Sequence, residues 1–218
     1  MDLATELYVE QTTRWPREGR HILAQHDAET VVVYQAYRPS IGAYAVRHGA
    51  FGGDFSYARM SWIKPNFLWM MYRSGWGTKE GQEVILGLRL RRQFFDDILA
   101  RAVASAFEAS GLSSHDEWSV AVAKSEVRLQ WDPDHDPHGA ALPRRAIQLG
   151  LRGSVLEAFG KRELLNVIDM TAFVAEQREE FRRNGVVRLR TPLERTYVPG
   201  DAAVARRLML DSGTRILW

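Results

Sequence analysis

The chain has 218 residues, 45% of them hydrophobic and 26% charged, with a formal net charge of +2 and no cysteine. This length can bury a large core, the composition is that of a globular protein, and the small net charge argues against wrapping by nucleic acid. Disulfides, thiolate nucleophiles and Cys-ligated zinc are excluded, and without an apolar run of ~18 residues or a signal-peptide pattern we expect a cytoplasmic protein that does not cross a membrane.

Hydrophobic periodicity and turn-forming residues divide the chain into predicted strands and helices. In chain order we predict a strand (31–37), a helix (41–48), a strand (55–63), a helix (65–74), a strand (83–90), a long amphipathic helix (92–110), a short helix after Ser114, strands over 126–131, 145–151 and 163–168, and a charged helix (171–184).

Several helix ends have local signals. Ser40 can cap the first helix, which Gly49 ends, and Pro65 suits the first position of the next helix, which Gly75 ends. Ser114 begins a capping box with Glu at the third position after it.

The order of these elements favours one α+β domain with mixed or antiparallel sheets and flanking helices. Strands and helices do not alternate regularly, and no Gly-rich loop follows a strand, which argues against a doubly wound parallel sheet. The domain is expected to span residues 1–218, with an N-terminal arm over 1–28 and a basic C-terminal tail over 186–218.

The most informative stretch, residues 55–79, contains no Asp or Glu. Cations and aromatic residues alternate there, which suits a ligand that is both anionic and flat, such as a nucleotide. The other interpretation is that the aromatic residues form core and the cations solvate its edge. The residues concerned are Arg59, Lys64, Arg73 and Lys79, with Phe55, Tyr57, Trp62, Phe67, Trp69, Tyr72 and Trp76.

Lys64 is unusual because Arg outnumbers Lys 25 to 4 in this chain. The bias itself is typical of a GC-rich genome. A lysine retained within the acid-free stretch is therefore a candidate functional residue.

Two glutamines lie within predicted strands, Gln35 in VVVYQAY and Gln148 in RAIQLGL. An amide among apolar neighbours destabilises a strand unless it is paired. Either alternation turns these side chains to solvent, or Gln35, Tyr37 and Gln148 converge on a ligand. Arg20 beside His21 is a further pair that can share a phosphate.

The common nucleotide and hydrolase motifs are absent: there is no P-loop, no GxGxxG after a strand, no HExxH and no GxSxG. The loop WDPDHDPHG (131–139) is rich in potential metal ligands. It fails the EF-hand pattern, because prolines occupy the positions that require Gly and a bidentate carboxylate. We expect a solvated, proline-containing turn there rather than a metal site, and a looser divalent-cation site is the alternative.

The segments GRHILAQ, VVVYQAYRPSIGAYAV, MSWIKPNFLWMMYRSGWGTKEGQE, LQWDPDHDP and RAIQLGLRG resemble the family called domain of unknown function 4291, found in bacteria and fungi. The resemblance covers about residues 5–200, and its central run is highly specific. It implies domain boundaries rather than a reaction.

The run VYQAYRPSIGAYAVRHGAF is also similar to the opening of ADP-ribosyltransferase-like folds. That resemblance implies an NAD site with Gln35 at the first position, Tyr72 or Tyr57 at the second, and Gln148 or Glu126 at the third. Gln35 replaces the family's His or Arg. In the related RNA 2′-phosphotransferases Arg and His hold a phosphate, a part that the resemblance assigns to Arg20, His21, Arg59 and Arg73.

Three functional hypotheses follow. The first is a transferase that acts on a nucleotide or nucleic acid, with NAD as a possible co-substrate. Cations clamp phosphates, aromatic rings stack on a base, glutamines orient a ribose and Glu126 polarises a hydroxyl. The cations are Arg59, Lys64 and Arg73, and the rings are those of Trp62, Tyr72 and Trp76.

The second hypothesis is a ligase-like nucleotidyltransferase that uses ATP and forms a covalent adduct on Lys64. The KxDG signature of such enzymes is absent, since Pro-Asn-Phe follows Lys64. The third is a non-catalytic RNA- or DNA-binding module whose binding weakens steeply with salt.

Overall fold

The structure is a computed structural model that describes residues 3–211. Within these residues the chain forms twelve strands and eight α-helices. The strands are β1 (Thr5–Leu7), β2 (Gly19–Arg20), β3 (Ile22–Ala24), β4 (Thr30–Tyr37), β5 (Ser61–Ile63), β6 (Val84–Arg91), β7 (Val103–Ala104), β8 (Val127–His135), β9 (Ala141–Leu151), β10 (Leu164–Asp169), β11 (Arg190–Pro192) and β12 (Arg195–Tyr197).

The helices surround these strands. They are α1 (Tyr8–Thr12), α2 (Pro39–His48), α3 (Phe67–Ser74), α4 (Arg92–Arg101), α5 (His115–Lys124), α6 (Gly153–Ala158), α7 (Thr171–Asn184) and α8 (Ala202–Arg207). No helix of the described chain is long and apolar enough to cross a membrane.

Two main sheets carry the core. One is antiparallel, in the order β10-β6-β4, and its strands β6 and β4 are largely buried. The other runs β2-β9-β8-β7, with an antiparallel β8–β9 pair and parallel pairs at both ends. The mixed and antiparallel sheets confirm the predicted single-domain α+β class.

Strand β5 connects the two sheets. It pairs antiparallel with the end of β9, with Ile63 opposite Leu149. The next residue, Lys64, exchanges backbone hydrogen bonds with Tyr34 of β4, at 2.7 and 3.2 Å between N and O. This short strand therefore brings the acid-free stretch to the junction of the sheets.

The two ends of the described chain pair with each other. β1 pairs with β11 and β3 pairs with β12, so parts of the predicted arm and the predicted tail lie in common sheets. Gln11, which is fully buried, donates from Nε2 to Thr191 Oγ1 at 2.8 Å, and its Oε1 accepts from the Glu194 backbone N–H at 2.8 Å. Residues 212–218 of the tail lie outside the described residues.

Most predicted elements are confirmed. Strands β4, β6, β8, β9 and β10 lie where predicted, and Gly49 and Gly75 end α2 and α3 with φ of 64° and 58°. The Ser114 side chain caps α5 by accepting from Glu117 N at 3.2 Å.

The long helix predicted over 92–110 is wrong beyond Arg101. Val103 and Ala104 instead form β7 and pair with β8. The Arg207 guanidinium, from α8, donates to the backbone oxygens of Leu99, Ala100 and Ala102 at 2.6–2.8 Å. A side chain distant in sequence thus satisfies the carbonyls that would otherwise favour continuing the helix.

Two helix starts were also predicted wrongly. Helix α2 begins at Pro39 rather than after a Ser40 cap, because proline fits a first helical position, where no N–H partner is needed. Helix α3 begins at Phe67, after Pro65. The Asn66 side chain accepts from Trp69 N at 2.7 Å and so caps this helix.

Two further predictions are only partly right. The strand expected over 55–63 is limited to Ser61–Ile63. The solvated turn expected over 131–139 is limited to its second half, because β8 continues to His135. Asp134 there is buried, and its Oδ2 pairs with Arg144 Nη2 at 2.6 Å.

Candidate functional site

The junction of the two sheets forms one wall of an open cleft of about 420 Å³. The end of β4, the start of α2, the loop before β5, β5 itself and the outer face of α3 surround it. Its lining includes Gln35, Tyr37, Arg38, Asp54, Arg59, Ser61, Trp62, Lys64, Met70 and Arg73. This volume lies within the range of small-molecule sites in proteins, roughly 300–1,000 Å³.

A hydrogen-bonded group of Gln35, Ser61 and Tyr37 forms the floor of the cleft. Gln35 Nε2 donates to Ser61 Oγ at 2.7 Å and to the Trp62 carbonyl at 3.0 Å. The Tyr37 hydroxyl lies 2.8 Å from the same Ser61 Oγ. Gln35 is 3% exposed, and its Oε1 has no hydrogen-bond partner within residues 3–211. A buried amide oxygen left in this way favours a donor supplied by a ligand.

Lys64 supplies a buried cation to the cleft wall. The residue is 6% exposed, and within residues 3–211 its ammonium group makes no direct hydrogen bond or ion pair, although the Asp132 carboxylate lies near enough to act on it. Burial, reinforced by the positive charge of Arg73, lowers the pKa of Lys64 from 10.5 to about 8, and the negative charge of Asp132 acts in the opposite direction. Lys64 therefore has both an ammonium and a neutral amine form near physiological pH.

Three arginines join Lys64 around the cleft. Arg38, Arg59 and Arg73 are exposed, and the lining contains a single carboxylate, Asp54, which lies 3.3 Å from Arg38 Nη2. Four cations against one carboxylate give the cleft an excess of positive charge. Trp62 adds a half-buried indole ring to the same lining.

Asp132 lies on the sheet face next to the cleft. Its Oδ1 accepts from Gln130 Nε2 at 2.9 Å and its Oδ2 accepts from Gln148 Nε2 at 2.7 Å. Because Ile63 pairs with Leu149, the register brings Lys64 beside Gln148. The amides thus hold a carboxylate near enough to Lys64 to affect its pKa.

Asp132 was not predicted to belong to this site, because the surrounding segment 131–139 predicts a solvated loop with potential metal ligands. The alternation of residues 128, 130 and 132 along β8 is the signal that could have found it, because it turns these three side chains to one face of the sheet. Gln148 lies opposite Lys64 in the strand register but does not line the cleft, and its amide nitrogen donates to Asp132.

Other predicted residues lie away from the cleft. Glu126 caps α6: its Oε1 accepts from Ser154 N and its Oε2 from Ser154 Oγ, both at 2.7 Å, and these bonds lower the pKa of Glu126. The Tyr57 hydroxyl donates to the Phe51 carbonyl at 2.9 Å. Tyr72 and Trp76 lie on the other side of α3, in a second groove.

The Arg20–His21 pair lies near the end of the described chain rather than at the cleft. The backbone N–H of Arg20 donates to Asp211 Oδ2 at 2.7 Å. His21 is buried, and this burial lowers its pKa although the Asp211 charge opposes the shift. Nothing in residues 3–211 brings this pair to Gln35 or Lys64.

The loop 131–139 does not gather its acidic and histidine side chains. Asp136 accepts from the backbone N–H groups of His138 and Ala140, both at 2.9 Å, and so fixes the turn. Within residues 3–211, no group of three or more Asp, Glu or His side chains is arranged to hold a metal ion.

The fold and the site together define a class: an α+β protein with an open, cationic and partly aromatic cleft between two sheets. The sequence profile of the family "domain of unknown function (DUF4291)" matches residues 21–197. The chain belongs to this family, as its resemblance predicted. The matched range includes every residue of the cleft. No curated protein sequence matches the chain.

Proposed function

We propose that the cleft binds a nucleotide, or one nucleotide of a nucleic acid, and that the protein catalyses a group transfer there. The observation that carries this proposal is Lys64, a buried lysine that lines the cleft and whose ammonium group makes no direct hydrogen bond or ion pair within residues 3–211. A buried charge is costly unless it is paired, so its retention favours an anionic ligand.

The surroundings of Lys64 favour a nucleotide over a simple anion. Arg59 and Arg73 present guanidinium groups that bind phosphate in two-point contacts, and the Trp62 indole offers a surface for a base. The Oε1 of Gln35 is buried and has no partner within residues 3–211, so a small shift of this side chain would let it accept from a ribose hydroxyl. Phosphate, ribose and base thus each have a complementary group on the lining.

For a transferase that uses NAD, the bond between nicotinamide and ribose breaks, the ribose carbon bonds to the acceptor, and nicotinamide leaves with the bond electrons. The acceptor loses a proton, and Asp132, beside Lys64, is the carboxylate suited to take it. The cations stabilise the phosphates and hold the substrate in place, which accounts for much of the catalysis in such a reaction. Gln35 would orient the ribose.

The test is calorimetric titration of wild-type protein and two variants with NAD, ATP and ADP. We expect wild-type binding and a loss of about 10- to 150-fold in affinity in Lys64→Met and in Arg73→Ala, the equivalent of a charge-assisted hydrogen bond. Lys124→Met and Arg206→Ala remove exposed cations on α5 and α8, outside the cleft lining, and should bind as the wild type does.

Wild-type affinity in folded Lys64→Met and Arg73→Ala would exclude this phosphate clamp. Failure of the wild-type protein to bind any of the three nucleotides would exclude the nucleotide site. Nucleotide binding without turnover of NAD or ATP would indicate that the protein is a non-catalytic binding module.

The pKa of Lys64, about 8, favours a second candidate, nucleotidyl transfer from ATP. The neutral Lys64 amine attacks the α-phosphorus, an N–P bond forms, pyrophosphate leaves, and Asp132 accepts the amine proton. Intact-mass measurement after incubation with ATP and Mg²⁺ should then show one added AMP that is absent in Lys64→Arg. An unchanged mass between pH 7 and pH 9 would exclude this reaction.

A further inference from the structure

A second groove of about 420 Å³ lies on the other side of α3 from the cleft. Its lining includes Tyr72, Trp76, His138, Arg178, Phe181 and Arg182. The groove is therefore formed by α3, the turn between β8 and β9, and α7. It contains none of the residues that line the cleft.

A stack of three rings borders this groove. Tyr72 lies on His135 with ring centroids 3.6 Å apart and an interplanar angle of 12°, and Trp69 is within 13° of parallel to both rings. His135 and Trp69 are buried, whereas Tyr72 remains 42% exposed. Contact with His135 thus fixes the Tyr72 ring, and part of the ring remains accessible to solvent. This is the arrangement of a stacking platform.

Trp76 provides a second aromatic surface in the groove. Its backbone has φ of 56°, in the left-handed region. This conformation is rare for a bulky residue and strains the backbone. It directs the indole onto Phe181 of α7, with centroids 6.0 Å apart and planes 18° from parallel. His138 meets the edge of the same Phe181 ring, with centroids 4.8 Å apart.

The groove is cationic as well as aromatic. Arg178 donates from Nη1 to the Trp76 carbonyl at 3.2 Å. A guanidinium carries five N–H groups, so others remain available. Arg182, on the same side of α7, is paired with Glu179 at 3.0 Å and has a side chain that is 76% exposed. Aromatic rings interleaved with arginines suit single-stranded nucleic acid, whose bases stack while its phosphates are neutralised.

Helix α3 is the common wall of the cleft and the groove. Met70 and Arg73, three residues apart, face the cleft, whereas Leu68, Tyr72 and Gly75 face the groove. Tyr72 and Arg73 are adjacent in sequence, so a platform for a base lies next to a cation that lines the cleft. Only the width of one helix, about 10 Å, separates the two sites.

We propose that the substrate is a single-stranded nucleic acid, with one nucleotide held in the cleft and the base of a neighbouring nucleotide stacked on Tyr72 in the groove. This inference rests on the proposed function, since the cleft must bind a nucleotide. It goes further, because it identifies the substrate as a polymer and Tyr72 as a residue that binds it outside the cleft.

The test compares ADP with single-stranded hexaadenylate RNA by calorimetry at one fixed salt concentration, because phosphate contacts depend on salt. ADP is the part that NAD and ATP share. We expect wild-type protein to bind hexaadenylate more tightly than ADP. Tyr72→Ala should weaken hexaadenylate binding by about 5- to 150-fold, as expected for loss of one stacked base, and leave ADP binding unchanged.

Tyr72→Phe is the matched control. It keeps the ring and should bind both probes as the wild type does. Two results would contradict base binding in the groove: a hexaadenylate affinity of Tyr72→Ala within twofold of wild type, or wild-type protein that binds ADP and hexaadenylate equally. Neither result would contradict nucleotide binding in the cleft. If wild-type protein binds neither probe, both proposals are contradicted: nucleotide binding in the cleft and base binding in the groove.

Discussion

At the scale of single residues, burial of the Lys64 cation lowers the stability of the fold and leaves that cation available to bind a ligand. The residue is 6% exposed, and within residues 3–211 its ammonium group makes no direct hydrogen bond or ion pair. Folding therefore removes water from this charge, and the nearby negative charge of Asp132 compensates for it only in part. Residues kept against their effect on stability are common at functional sites. The pKa of Lys64, lowered to about 8, is the measurable sign of this cost.

Lys64→Met should therefore stabilise the protein. The folded-state pKa is about 8, against 10.5 for an ordinary lysine. This difference corresponds to roughly 3 kcal/mol, or a rise in Tm of roughly 5–10 °C at neutral pH. Between pH 8 and pH 10.5 the unfolded state binds more protons than the native state, so wild-type stability rises with pH there. The advantage of the variant should be full below pH 8 and vanish near pH 10.5.

The measurement is thermal unfolding of wild type, Lys64→Met and Lys124→Met across this pH range. Lys124 is exposed on α5, so its substitution should leave Tm nearly unchanged at every pH. A lower Tm in Lys64→Met than in wild type at pH 7 would show that the ammonium group is stabilised in the fold.

At the scale of elements, α3 connects the candidate site to the rest of the protein. Asn66 caps its first turn, and the buried Glu194 accepts from Phe67 N at 2.6 Å and from Asn66 Nδ2 at 3.3 Å. Burial raises the pKa of Glu194 well above its usual range. These contacts fix the start of the helix that carries Arg73 to the cleft and Tyr72 to the groove.

Asn66→Ala should consequently reduce both stability and binding. Loss of the cap costs about 1–2 kcal/mol. The freed Trp69 N–H adds to this cost, because the site is buried. We expect a lower Tm and a severalfold weaker affinity for ADP by calorimetry, because α3 positions Arg73.

Ser114→Ala provides the comparison for that prediction. Ser114 caps α5, which contributes no residue to the cleft. Its loss should therefore lower stability by about 1 kcal/mol and leave ADP affinity unchanged. Equal effects of the two substitutions on ADP binding would show that the position of α3 does not matter to the site.

At the scale of the whole molecule, both ends of the described chain stabilise the central sheets. Gln11 connects β11 and the segment after it through its amide, and Trp15 Nε1 donates to the Glu194 carbonyl at 2.9 Å. Glu194 in turn contacts the start of α3. The paired ends therefore support the site although they do not line it.

Gln11→Leu tests this dependence. The substitution leaves the backbone N–H of Glu194 and the hydroxyl of Thr191 without their buried partner. Each loss costs about 1–3 kcal/mol. We expect a lower urea midpoint by circular dichroism and tryptophan fluorescence, with the two transitions coinciding if the domain unfolds as one unit.

The control for this substitution is Gln93→Leu, at an exposed position of α4. It should change stability by less than about 0.5 kcal/mol. An unchanged urea midpoint in Gln11→Leu would show that the paired ends do not stabilise the central sheets.

Prediction from sequence succeeded where local signals dominate. The apolar β-branched run of β4, the glycines that end α2 and α3, and the Ser114 cap each have a cause within a few residues. The acid-free stretch was likewise visible in sequence, and Arg59, Trp62, Lys64 and Arg73 from it do line one cleft, with Gln35 and Tyr37 from the preceding strand.

Local signals also determined family membership, because the segments that carry it are contiguous. They did not show which aromatic residues lie in the core, which line the cleft and which border the groove. Phe67 and Trp69 are core, Trp62 lines the cleft, and Tyr72 and Trp76 border the groove. The location of each ring depends on how α3 packs between the cleft and the groove, and Asn66 and the distant Glu194 fix the start of that helix.

The sequence by itself determined the fold class, most of the elements and the acid-free stretch that supplies part of the cleft lining. Only the tertiary structure decided that α4 ends at Arg101, that Glu126 caps a helix, and that Asp132 accompanies Lys64. Each of these depends on hydrogen bonds between residues distant in sequence, such as Gln148 with Asp132 (|i−j| = 16) and Arg207 with Ala102 (|i−j| = 105). Periodicity and capping describe neighbours along the chain, whereas burial and charge depend on partners that folding brings together.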